Sequence, residues 1–129
     1  MSFFDNILGR GGADVQGPWK VLSSLEELET LIARSHEVPI AIFKHSISCG
    51  ISAMVKAQLE DQWDLKGEEV ELSYLDLIRH RDVSSKIAER LEVWHQSPQL
   101  ILIKGGAVLY HASHQAIRVP KVKEAISQS

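Results

Sequence analysis

The chain has 129 residues, of which 44% are hydrophobic and 24% charged, and 14 Lys+Arg against 17 Asp+Glu leave a formal charge of −3. That is the make-up of one globular domain with apolar material for a real core, so folding needs neither a disulfide framework nor a structural metal. No clustered positive charge suits nucleic acid, no apolar run nears the ~20 residues of a membrane span, and the start lacks a signal peptide's basic and apolar regions, so a cytoplasmic protein is expected.

Residues 1–17 read as a loosely ordered leader. Phe3, Phe4, Ile7 and Leu8 make one amphipathic turn, and Gly9, Gly11, Gly12 and Gly17-Pro18 break its continuation. The domain proper is expected over 18–129. Trp19 to Leu22 is a short strand candidate. Ser24 with Glu27 three residues later is a capping box, and Leu25, Leu28, Leu31 and Ile32 recur at helical spacing up to Ser35. Val38 to Lys44 is a buried strand, followed by a loop over His45 to Ser48.

From Cys49 to about Gln62 the spacing is helical again, with Ile51, Val55, Leu59 and Trp63 on one face. Glu69 to Leu75 alternates like a half-exposed strand, and Asp82 to Val93 carries Val83, Ile87, Ala88 and Leu91 on one helix face. Gln99 to Lys104 is a near-continuous apolar strand. Gly105-Gly106 turns it into an antiparallel partner, Ala107 to His111. Ser113 is a candidate cap for a last helix bearing Ile117, Val119, Val122 and Ile126, whose regular part begins near Pro120. The order β-α-β-α-β-α-β-β-α predicts an α/β fold of thioredoxin-like type, with a mixed central sheet of about four to five strands flanked by helices.

The single cysteine, Cys49, closes no internal disulfide and builds no thiolate metal cage. A lone cysteine is more often a small buried hydrophobe. Its position counters that prior, because it follows a buried strand by one short loop and stands where a helix begins. Unpaired N–H groups and the partial positive charge of a first turn favour thiolate over thiol there. Lys44 and His45 are expected to add positive charge, and Ser46, Ser48 and Ser52 to add hydroxyl donors. Cys49-Gly50-Ile51-Ser52 is a C-x-x-S, with Ser52 where a dithiol enzyme carries its second cysteine. Serine donates a hydrogen bond but forms no disulfide, so a mixed disulfide on Cys49 waits for an external thiol.

Ser97-Pro98 precedes the apolar strand. On spacing alone Pro98 simply starts that strand, where its missing N–H costs little. In a thioredoxin-like frame the same position carries the cis-proline loop that faces the cysteine and offers backbone groups to substrate. His111 and His114 lack a third ligand nearby, so no metal site is expected. Trp63 and Trp94 read as core or rim packing, and Asp61, Asp64, Glu68, Glu69 and Glu71 as a solvated face. No segment has P-loop or dinucleotide-binding spacing.

Three blocks together resemble the monothiol bacilliredoxin family: Phe43 to Ser52, Gln96 to Gly106, and Tyr110 to His114. Their order and spacing match over roughly residues 19 to 127. The resemblance implies a thioredoxin-like fold and cytoplasmic low-molecular-weight thiol chemistry, without a tightly bound cofactor. Cys49 would attack protein–S–bacillithiol mixed disulfides, with S-thiolated client proteins as partners and a small thiol or reductase regenerating the cysteine. Cys49 and Ser52 are the expected catalytic pair. Ser97, Pro98, Lys44, His45, Ser48 and Gly50 are expected to contact substrate. The family commonly has proline directly after the cysteine, and this chain has Gly50, which lacks proline's preset φ and leaves the first turn looser. The alternatives of other classes are a non-catalytic interaction module with a vestigial thiol, and a redox sensor that Cys49 modification switches.

Overall fold

A computed structural model of the chain describes residues 18–129, so the expected leader over 1–17 lies outside the described residues. Among the described residues, five strands form one sheet: β1 (Lys20–Val21), β2 (Ile40–His45), β3 (Glu71–Asp76), β4 (Gln99–Lys104) and β5 (Ala107–Ser113). Four α-helices intervene or follow: α1 (Leu25–Arg34), α2 (Gly50–Gln62), α3 (Arg81–Leu91) and α4 (Val119–Ser127). The strand order is β1-β3-β2-β4-β5. β1 and β2 run parallel to β3, and β4 is antiparallel to both β2 and β5.

Strand alternation sorts the apolar side chains into two layers. Ile40 and Ile42 of β2 join Leu28, Ile32, Val83, Ile87, Ile101 and Ile103 on the α1/α3 side. Ala41 and Phe43 join Val55, Leu59, Leu72, Leu100, Leu102 and Val122 on the α2/α4 side. Two covered faces explain why β2 and β4 are continuous apolar runs instead of alternating ones.

Local signals set most boundaries. Ser24 Oγ accepts the Glu27 N–H at 3.1 Å, while the Glu27 carboxylate reaches back one residue beyond the cap, to Ser23 N–H at 2.7 Å. Gly105 and Gly106 adopt φ of 64° and 81°, as a two-residue hairpin with both φ positive requires. A Cβ at Gly106 would meet the His36 ring at 3.0 Å. The last helix becomes regular near Pro120 as expected, but the Ser113 cap does not form. Ser113 makes no side-chain cap bond, His114–Ala116 is a 3₁₀ turn, and α4 starts at Val119 with Pro120 in its first turn. Proline is tolerated there because that N–H has no helical acceptor.

Candidate active site

β2 delivers its chain to the end of the sheet where β4 begins, since Lys44 pairs with Gln99. The loop Ser46 to Ser48 leads from β2 to Cys49, the N-cap residue of α2, in extended conformation (φ −111°, ψ 121°). Cys49 N–H donates to Ser46 O at 3.1 Å, and Cys49 O accepts the first helical bond from Ala53 N–H at 3.0 Å. The N–H groups of Gly50, Ile51 and Ser52 precede that bond, at the end of a helix where negative charge is favoured. Cys49 is half-buried, not sealed in the core.

Ser52 is fully buried beneath the loop. Its Oγ accepts Ser46 N–H at 3.1 Å and lies 2.6 Å from His45 Nδ1. Burial, then the nearby Lys56 ammonium, holds the His45 pKa below its ordinary value against the opposing pull of Asp76 and Glu60. The ring is therefore neutral near pH 7, and Nδ1 and the Ser52 hydroxyl share one hydrogen bond whose donor is set by the imidazole tautomer. Ser52 Oγ is thus engaged by two groups of the loop itself, Ser46 N–H and the His45 ring. Ser52 shapes the loop that presents the sulfur.

His45 itself is packed between aromatic rings, 5.8 Å from the Phe43 centroid and 5.5 Å from that of Tyr74. Lys56 sits over Trp19 and Tyr74, and its Nζ donates to Glu60 Oε2 at 2.7 Å, which also accepts Trp19 Nε1–H at 2.6 Å. Burial pushes the Glu60 carboxyl up, but the hydrogen bonds from Lys56 and Trp19 outweigh it and leave the group below its usual value.

Lys44 departs from expectation. Its neighbours in β2 alternate, so it points to the α1/α3 layer, has no exposed surface, and donates from Nζ to Ser84 O at 3.1 Å. A side chain sealed on that face does not touch substrate, and His45, 5% exposed, does not either. The added positive charge expected from both is absent at the loop surface. Ser48 remains exposed, 3.2 Å from Ser46 Oγ, and Gly50 is exposed with open space where a Cβ would stand.

The Ser97–Pro98 peptide is cis, Pro98 is buried, and Ser97 is half-buried. Sequence reasoning missed what holds this loop. Gln99, 1% exposed, accepts Gln96 N–H and donates to Trp94 O at 2.9 Å, and Pro98 O accepts His114 N–H at 3.0 Å. His114 achieves this at φ 56°, a left-handed conformation that no local pattern announces. Trp63 packs on the core as expected, but Trp94 is 89% exposed. Among the described residues, no group of three His, Cys, Asp or Glu is placed to hold a metal ion, and no helix is long and apolar enough to cross a membrane.

A half-buried cysteine at a helix start, with a cis-proline loop entering the sheet at the same end, is an arrangement for thiol chemistry. A family model described as monothiol bacilliredoxin BrxC matches residues 20–122. The chain belongs to this family. A solved structure described as having a thioredoxin fold is 29% identical, with a TM-score of 0.73, covering 84% of this chain and 93% of its own. Thioredoxin from Fasciola hepatica is 22% identical with a TM-score of 0.66, covering 84% and 97%. Thioredoxin from Malassezia sympodialis is 18% identical with a TM-score of 0.68, covering 88% and 91%. The last two speak to the fold alone. As a bacilliredoxin-family chain with a thioredoxin fold, this is a thiol-redox protein.

Proposed function

We propose that the chain is a monothiol thiol–disulfide oxidoreductase that removes low-molecular-weight thiols from proteins, with bacillithiol as the thiol the family resemblance favours. In the first step the Cys49 thiolate attacks the small-thiol sulfur of a client–S–S–R mixed disulfide. The Cys49–S–S–R bond forms as the client's S–S bond breaks, and the client leaves as a thiolate that takes a proton from water. In the second step an external thiolate attacks the same small-thiol sulfur, releasing R–S–S–R′ and restoring Cys49. Client cysteine is reduced and the second thiol is oxidised, so the electrons balance.

The observation that carries this reading is the pairing of an accessible Cys49 at N-cap with a buried Ser52 where a resolving thiol would stand. With no second cysteine in the chain, resolution falls to an outside thiol. Ser97 and Pro98 are the proposed substrate contacts across the loop, by analogy of position in the fold. A vestigial thiol would need no exposure, and half-burial of Cys49 weighs against the interaction-module alternative. Turnover of one client protein, S-thiolated in parallel with bacillithiol and with glutathione, tests the proposal. Release with catalytic amounts of protein and excess free thiol is expected, faster for the bacillithiol adduct. Equal rates would keep the exchange activity and discard the thiol assignment, and no release beyond a Cys49→Ser control would discard both.

A further inference from the structure

Lys44 is a fully buried amine whose polar partners are a carbonyl and an imidazole. Besides Ser84 O, its Nζ lies 3.2 Å from His95 Nδ1, and Ser84 Oγ lies 3.4 Å from the same nitrogen. Burial pushes the Lys44 pKa down to about 8. Burial first, then the Lys44 and Arg81 charges, hold His95 below its ordinary value, so the ring is neutral near pH 7 with a lone pair for the ammonium. Arg81, the charged side chain acting on His95 from the start of α3, has the same sign as Lys44. An apolar side chain would fill such a position at less cost in desolvation. Stability therefore gives no reason for a lysine here, and its contacts do.

Those contacts join three pieces of chain: β2, which carries Lys44; α3, through Ser84; and the segment 92–98, through His95. Gln99, the cross-strand partner of Lys44, grips Trp94 and Gln96 on either side of His95. Two adjacent buried polar side chains thus hold three successive residues whose own side chains are exposed. We propose that Lys44 and His95 latch this segment to β2 and α3, and so fix Ser97 and Pro98 at the end of the sheet from which the loop to Cys49 leaves. Lys44 is then a positioning residue for exchange, an inference that rests on the exchange reading above.

The test compares wild type with Lys44→Met, His95→Leu and His95→Gln, the last retaining an acceptor for the ammonium. Amide hydrogen exchange at Gln96 and Ser97 is expected to quicken about tenfold or more in the first two variants and little in the third, with β3 amides unchanged. Reaction with a mixed-disulfide substrate is expected to fall about tenfold to a hundredfold in the same two variants, while Cys49 alkylation by iodoacetamide, which needs no substrate loop, stays within about twofold. The double variant Lys44→Met/His95→Leu is expected to be no slower than the worse single one, because both remove one contact. Wild-type protection at Gln96 and Ser97 in His95→Leu would overturn the latch, whether or not Lys44→Met folds. A looser segment with unchanged exchange would overturn the positioning role. Absence of exchange in wild type would instead overturn the functional reading, and the amide measurement would still decide the latch.

Discussion

Ser52 Oγ lies 2.6 Å from His45 Nδ1, seven residues away in sequence, and closes the loop that carries Cys49. The same oxygen accepts Ser46 N–H, and Ser46 O in turn accepts Cys49 N–H. The hydroxyl that stands in the resolving position is thus an internal strut between the end of β2 and the first turn of α2.

Removing that strut has a defined cost. Ser52→Ala leaves Ser46 N–H and His45 Nδ1 buried without their partner, which destabilises by about 1–3 kcal/mol. Thermal unfolding is expected to drop by about 3–12 °C for a domain of this size. Exchange at Cys49 should slow with it, since the turn before the nucleophile loses its tie. An unchanged melting temperature would show that the strut carries no load.

Three bases, the buried Lys44 and His45 and the more exposed His95, have pKa values below their ordinary ones. In each case the unfolded state binds more protons between the folded and unfolded values, so stability rises with pH across that window. For the histidines the window lies below 6.5, and stability is lost as pH falls through it. For Lys44 it runs from about 8 to 10.5, and stability is gained as pH rises, by something on the order of 1–3 kcal/mol. Urea unfolding at pH 8 and pH 10 should show the gain in wild type and not in Lys44→Met.

Gly50 stands where proline would fit. It is the first residue of α2, a Cβ there meets nothing, and Cys49 before it already has the extended φ and ψ that a following proline demands. Gly50→Pro is therefore expected to stabilise by about 0.4–1 kcal/mol, mainly by restricting the unfolded chain. A calorimetric melting temperature checks this, and a fall would mean that the Gly50 N–H has a role proline removes.

Three apolar side chains border the nucleophile in sequence and remain exposed: Ile47 at 66%, Ile51 at 39% and Met54 at 52%. In the proposed reaction they meet the client protein, not the small thiol. Ile47→Ser/Met54→Ser is expected to slow release from an S-thiolated protein about tenfold, near the contribution of two partly buried side chains. Reaction with the symmetric small-thiol disulfide should be unaffected. Equal losses on both substrates would place these residues in the exchange step itself.

The strands and helices were legible because their signals are local: the Ser24 cap, the Gly105-Gly106 turn and the helical spacing after Cys49. Cys49 at a helix start was legible for the same reason. The direction of Lys44 was not, because strand alternation gives two faces and only the packing of α3 shows which one is sealed. The C-x-x-S spacing points Ser52 at the sulfur, while its contact with a buried histidine seven residues away in sequence depends on the fold of the loop. Trp94 looked like packing, since apolarity says nothing of whether a neighbouring element covers it. The ties from Gln99 and His114 depend on strand register and a left-handed φ, neither of which a sequence window contains.

The central claim is that Cys49 takes the small thiol from a client and keeps it until another thiol arrives. Intact-mass analysis of a single turnover, without added free thiol, measures this directly on both proteins. The account predicts that this chain gains one small-thiol mass on Cys49 while the client loses the same mass in equal amount. A client that stays thiolated, or is released as fast by Cys49→Ser, would contradict it.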